Sequence, residues 1–267
     1  MKKIILLGAL LLTLAACASK TPAANSEEDK STAQTNATTT TTDKNSETKT
    51  KSSESTKNTT KSSSSEKKAD ALAKLKKENP KTLLPTNIPR DENRALNIAM
   101  DKQKDSLAVL YYIMDAPLVL NDQSLNQQTP FARYKMEQFA SKDAAKKAVN
   151  YQFDEGGQKV DLGHDITAYS QGAAGSTYLN WKEGNWSIVL RASNVNGQDG
   201  TALAKEVVNY LEKAMLPAPK SVGQITIDMA QNGYESNQVV WQVDKTVYTV
   251  THEDTIPALE MAVSMNK

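Results

Sequence analysis

Cysteine is almost absent from this chain of 267 residues: Cys17 is the only one. No intrachain disulfide can form, so the fold is held by its core alone. Aromatic residues are missing before Tyr111, and the last is Tyr248. Between Ser19 and Asp70 there is no Val, Ile, Leu, Met, Phe, Trp, Tyr or Cys. Such a stretch has no apolar surface to set against the entropy of ordering, which predicts disorder. Neither charge is in excess there, with nine Lys against eight Asp and Glu. That composition excludes a polybasic membrane or nucleic-acid tail. The residues after Pro80 carry a net charge of −4, a poor electrostatic match for nucleic acid. Histidine is limited to His164 and His252, neither with a second His four residues on, so the zincin helix is missing. The glycines form no phosphate-cradling loop, and no Asp-rich calcium loop occurs. The expectation is no cofactor and no metal site.

What is present begins with an address. Lys2 and Lys3 precede an apolar run from Ile4 to Leu14, followed by Ala15, Ala16 and Cys17. The run is too short for a membrane-spanning helix, which needs about 20 residues, and has the three parts of an export signal. Leu14-Ala15-Ala16-Cys17 resembles the lipobox of bacterial lipoproteins. That resemblance implies a signal peptide over 1–16 and a diacylglyceryl group on Cys17, which becomes the new N-terminus. Each buried methylene contributes about 0.8 kcal/mol, so two fatty chains anchor stably where one does not. Residues 17–70 then read as the lipidated cysteine and a solvated Ser/Thr/Lys/Glu-rich spacer. About 50 flexible residues span roughly 40 Å on average and approach about 170 Å when stretched. The expected location is the outer face of the cytoplasmic membrane, lipid-anchored.

Residues 71–267 read as the folded part. Ala69 to Glu78 is a Lys-rich helix candidate ended by Pro80, and Pro80, Pro85 and Pro89 predict an extended approach. Strands are expected over 95–100, 106–114 and 131–139, followed by a helix over 142–153 capped by Ser141 and stopped by Gly156-Gly157. Further strands are expected over 159–162, 166–170, 176–182 and 186–192, the last two forming a hairpin across Glu183-Gly184-Asn185. Asp199 or Thr201 caps a helix whose Leu203, Ala204, Val207, Val208, Leu211, Ala214 and Met215 share a face. A shorter version of this order follows: a strand over 224–229, a hairpin across Asp244-Lys245, and a helix over 255–265. Trp181 and Trp241 occupy similar places sixty positions apart. The expected fold class is α+β, with antiparallel sheets and helices packed on one face, and with two related hairpin–helix subdomains meeting near 216–220.

The lipobox, Leu84-Pro85-Thr86, Trp181-Lys182-Glu183-Gly184-Asn185-Trp186, Leu216-Pro217-Ala218-Pro219 and Val240-Trp241-Gln242-Val243 together resemble a group of cell-surface lipoproteins of Gram-positive bacteria. The resemblance implies surface display and no assigned activity, and it transfers no functional residue.

Catalytic signals are sparse. His164 precedes Asp165, and His252 precedes Glu253-Asp254, but no nucleophile is marked. Gly172-Ala173-Ala174-Gly175-Ser176 lacks the spacing of a nucleophile elbow. Trp181, Trp186, Trp241 and Tyr248 have two readings, a platform that stacks on wall sugars or anchors of a sheet core. The expected function is a non-enzymatic binding or interaction module of the envelope, its partner an envelope protein or wall glycan. The alternatives are an envelope hydrolase with an unrecognised site, or a carrier with an apolar groove.

Overall fold

The structure is a computed structural model and describes residues 71–266. The expected signal peptide, Cys17 and the spacer lie outside the described residues. The described residues open in helix α1 (71–78), and an extended arm (80–94) leads to the sheet. Strands β1 (Ala95–Lys102), β2 (Ser106–Met114) and β3 (Ala132–Gln138) come first, with one turn of 3-10 helix at Gln123–Gln127. Helix α2 (Lys142–Ala148) precedes β4 (Gln158–Asp161), β5 (Thr167–Ala173), β6 (Ser176–Glu183) and β7 (Trp186–Ser193). Helix α3 (Gly200–Leu211), β8 (Gly223–Asp228), β9 (Asn237–Val243), β10 (Thr246–His252) and α4 (Thr255–Val263) complete it.

All ten strands form one sheet in the order β1-β2-β3-β10-β9-β8-β7-β6-β5-β4. Every pair is antiparallel except β7 with β8, which run parallel from Trp186 opposite Gly223 to Arg191 opposite Asp228. The class is therefore α+β with a mixed sheet. The expected hairpin–helix order does occur twice, as β6-β7-α3 and β9-β10-α4, but both copies share this sheet and one core. No subdomain boundary appears at 216–220. Those residues belong to the crossover that parallel strands require.

The expectation of helices on one face holds for three of the four. Side chains alternate along a strand, and Val239, Trp241 and Val250 join the large core with residues of α1, α3 and α4. Val240 and Val247 point the other way and meet Ala145 and Val149 of α2. Gln242 fixes the same helix, its amide donating to the Lys142 carbonyl at 2.9 Å.

Local signals explain most boundaries. The Ser141 hydroxyl accepts from Ala144 N–H, and the Asp199 carboxylate accepts from Ala202 N–H, so both expected caps form. Helix α2 stops at Ala148, short of the expected 153, because Asn150 adopts a left-handed φ of 55°. Helix α3 likewise ends at Leu211, short of 215. Pro257 sits in the first turn of α4, where its missing N–H leaves no helical bond unmade.

Candidate functional site

Of the aromatic residues expected as a ligand platform, the three tryptophans belong to the core and Tyr248 packs against it. Trp181 and Trp241 have no exposed surface, Trp186 is buried, and Tyr248 is half-buried. Trp241 stacks on Tyr248 with ring centroids 5.3 Å apart, and Trp186 tilts against Trp241 at 6.3 Å. Trp186 and Trp241 reach toward each other across β8, the strand between the two hairpins, and Trp186 covers Gly223 there. Trp181 and Trp241 have no face open to a sugar and serve as sheet anchors, while Tyr248 and the cleft-lining edge of Trp186 keep some exposed surface.

The two histidines do not come together in one site. His252, at the end of β10, is buried with both ring nitrogens bonded to backbone. His164 is exposed, its Nε2 2.9 Å from Asn209 Oδ1 and its Nδ1 3.9 Å from Glu212. It stands in a turn in which Gly163, His164 and Asp165 all have positive φ. Among the described residues neither imidazole is bonded to a Ser, Thr or Cys side chain. Near His164, Glu183 lines a cleft of about 240 Å³ with Trp186, Leu211, Ala214, Met215 and Leu216. Burial pushes the Glu183 carboxyl above its ordinary value, against the Trp181 indole N–H that donates to it at 3.0 Å.

A second hollow lies on the α2 side of the sheet. After Asn150 the chain crosses β8, β7 and β6 as an extended strap. Gln152 N–H donates to Gln224 Oε1 at 2.8 Å, and the Ser187 hydroxyl donates to the Gln152 carbonyl. Asp154 N–H donates to Asn180 Oδ1 at 3.0 Å. Gln224, Ser187 and Asn180 are all buried. Buried polar side chains require partners, and the strap backbone supplies them. Phe153 locks the far end, with Lys182 Nζ 3.7 Å above its ring and Tyr169 edge-on at 6.0 Å.

The strap walls a groove of about 430 Å³ whose lining includes Tyr151, Asp154, Gln171, Tyr178 and Val189. Gln171 donates to Asp154 Oδ2 at 2.9 Å, and with the Gly156 N–H it holds that carboxyl below its ordinary range. The groove therefore carries a fixed negative charge beside aromatic surface at neutral pH. Tyr151 also borders a hollow of about 630 Å³ with Asp143, Lys146, Lys147, Asn150 and Val222. Sequence reasoning missed this site because 150–156 reads as the end of a helix. The available signal was an amide or hydroxyl side chain set beside apolar residues in each of three strands, Asn180 in β6, Ser187 in β7 and Gln224 in β8.

No family model, curated protein or solved structure matches the chain. Among the described residues no helix is long and apolar enough to cross a membrane.

Proposed function

We propose that the chain is a lipid-anchored module on the outer face of the cytoplasmic membrane, and that it binds a polar component of the envelope without transforming it. The lipobox-like Leu14-Ala15-Ala16-Cys17 and the spacer support the address. The observation that carries the binding reading is the strap, three buried polar side chains spent on pinning one short segment beside a groove. Binding sites are largely pre-formed and combine apolar lining with a few placed polar groups. Tyr151, Tyr178 and Val189 supply the apolar surface, and Asp154 and Gln171 the polar groups. This chemistry suits a hydroxyl-rich ligand such as a wall glycan. Tyrosine offers it a flat apolar face with a polar tip.

A hydrolase is the second reading, favoured by the raised Glu183 carboxyl at its cleft. One experiment separates the two. Soluble wall fragments are titrated into the full chain by calorimetry while product formation is followed by mass spectrometry. The binding reading expects saturable heat, no new product, and an affinity loss of about tenfold or more in Tyr178→Ala, a loss of about 1.4 kcal/mol. Turnover that disappears in Glu183→Gln would establish the enzyme instead.

A further inference from the structure

We propose that His252 is an acid-sensitive latch that holds the arm (80–94) against the corner between β10 and α4. The ring is buried, and each nitrogen has one backbone partner of fixed role. Nδ1 lies 2.8 Å from Asp254 N, which can only donate. Nε2 lies 3.1 Å from the Pro89 carbonyl, which can only accept. The imidazole is therefore neutral, with its proton on Nε2. Phe131 packs edge-on against it at 5.3 Å.

Protonation adds a hydrogen at Nδ1, directed at a backbone N–H. Two donors then face each other in a buried site. The corner loses a bond that α4 does not replace, since Asp254 makes no side-chain cap. The Nε2–H bond to the Pro89 carbonyl survives protonation and favours the charged ring. The arm is released only where the ring is driven out of its buried pocket into water and that bond is given up with it. The charged groups on the surrounding elements are Lys81, Arg90, Asp91, Glu92 and Arg94 on the arm, Glu253 and Asp254 on the corner, Glu260 on α4, Arg133, Lys135 and Glu137 on β3, and Glu235 before β9. Of these, the Asp254 carboxylate favours the charged ring. Burial acts more strongly in the opposite direction and lowers the His252 pKa from the ordinary 6.5.

The sign follows from linkage. A histidine whose folded pKa is depressed binds fewer protons folded than open. The latch is fully closed above about pH 6.5 and weakens as acid carries the solution through the lower, closed-state value. The remaining ties of the arm are local: Thr86 bonds Ser264 twice, and the Tyr134 hydroxyl donates to Leu83 O at 2.6 Å. They hold the first half of the arm. Beyond it Ile88 is buried in the core and Arg94 pairs with Asp115 at 3.2 Å, so the stretch between them, Pro89 to Asn93, is the part that the ring holds.

The test is hydrogen exchange on the full chain in detergent at about pH 7.5 and about pH 5, each corrected for the intrinsic exchange rate. Peptides covering 87–94 and the Asp254 amide are expected to lose about tenfold in protection on acidification, the factor that one pH unit of titration supplies. Peptides of β9 should not change. His252→Gln retains a donor toward Pro89 but cannot titrate, so its arm should show no pH response. Constant protection in the wild type, or an equal acid response in His252→Gln, would overturn the latch. If the variant does not fold, ring NMR of the wild type decides. A neutral Nε2–H ring titrating below 6.5 supports the latch, and a proton on Nδ1 or titration at or above 6.5 overturns it.

Discussion

Gly223 faces Trp186 across the one parallel strand pair. A Cβ built there would stand 2.4 Å from Trp186 Cε3 and 2.7 Å from Cδ2. The indole cannot swing aside, because it lies against Trp241. Gly223→Ala should therefore destabilise the protein by about 1–3 kcal/mol, the usual cost of overpacking a core, read as a lower denaturant midpoint. Gly172→Ala is the control, since nothing lies within 4 Å of its added methyl. An unchanged midpoint in Gly223→Ala would mean that the tryptophan pair repacks freely. At this scale the sequence announced Trp186 and Trp241 as important without showing which way they pointed. Aromatic residues in hairpins serve cores and surfaces alike, and only the register across β7, β8 and β9 decides between them.

The strap illustrates what an element loses when one partner is removed. Gln224→Ala deletes the acceptor for Gln152 N–H, and that N–H has no other partner in the structure. Losing a buried hydrogen-bond partner costs about 1–3 kcal/mol. Part of that cost should appear locally as faster exchange of the 151–154 amides, together with weaker ligand binding. Unchanged exchange there would show that Ser187 and Asn180 hold the strap by themselves. Periodicity made the regular elements readable. The hairpin across Gly184-Asn185, the face of α3 and the Asp199 cap all stand where residue spacing puts them. The strap was illegible for the opposite reason. Its conformation is imposed by side chains from β6, β7 and β8, remote in sequence, while the helix-favouring Ala-Lys pattern of 144–148 runs directly into it and hides where the helix stops.

For the molecule as a whole, the continuous sheet predicts a single cooperative unfolding transition. Two subdomains joined at 216–220 would melt separately, whereas the β7–β8 pair and the shared core tie both hairpin–helix units together. Tryptophan fluorescence and far-ultraviolet dichroism, which weight the hairpins and the entire fold differently, should give coincident urea transitions. Two resolved transitions would contradict the single sheet. This long-range order was not legible, since a repeat of hairpin and helix is equally compatible with two small sheets or one large one. The order of the strands also has a mechanical meaning. The arm enters the sheet at β1, an outermost strand, and the groove lies beyond β8, on the far side of β10 and β9. Tension between a membrane foothold and a captured ligand would run crosswise to the strands, along their hydrogen bonds. Strands loaded in that direction peel off singly, so under the proposed anchoring the module would yield at modest force, surrendering α1 and the arm and then β1, and would act as a strain-relief link between membrane and wall.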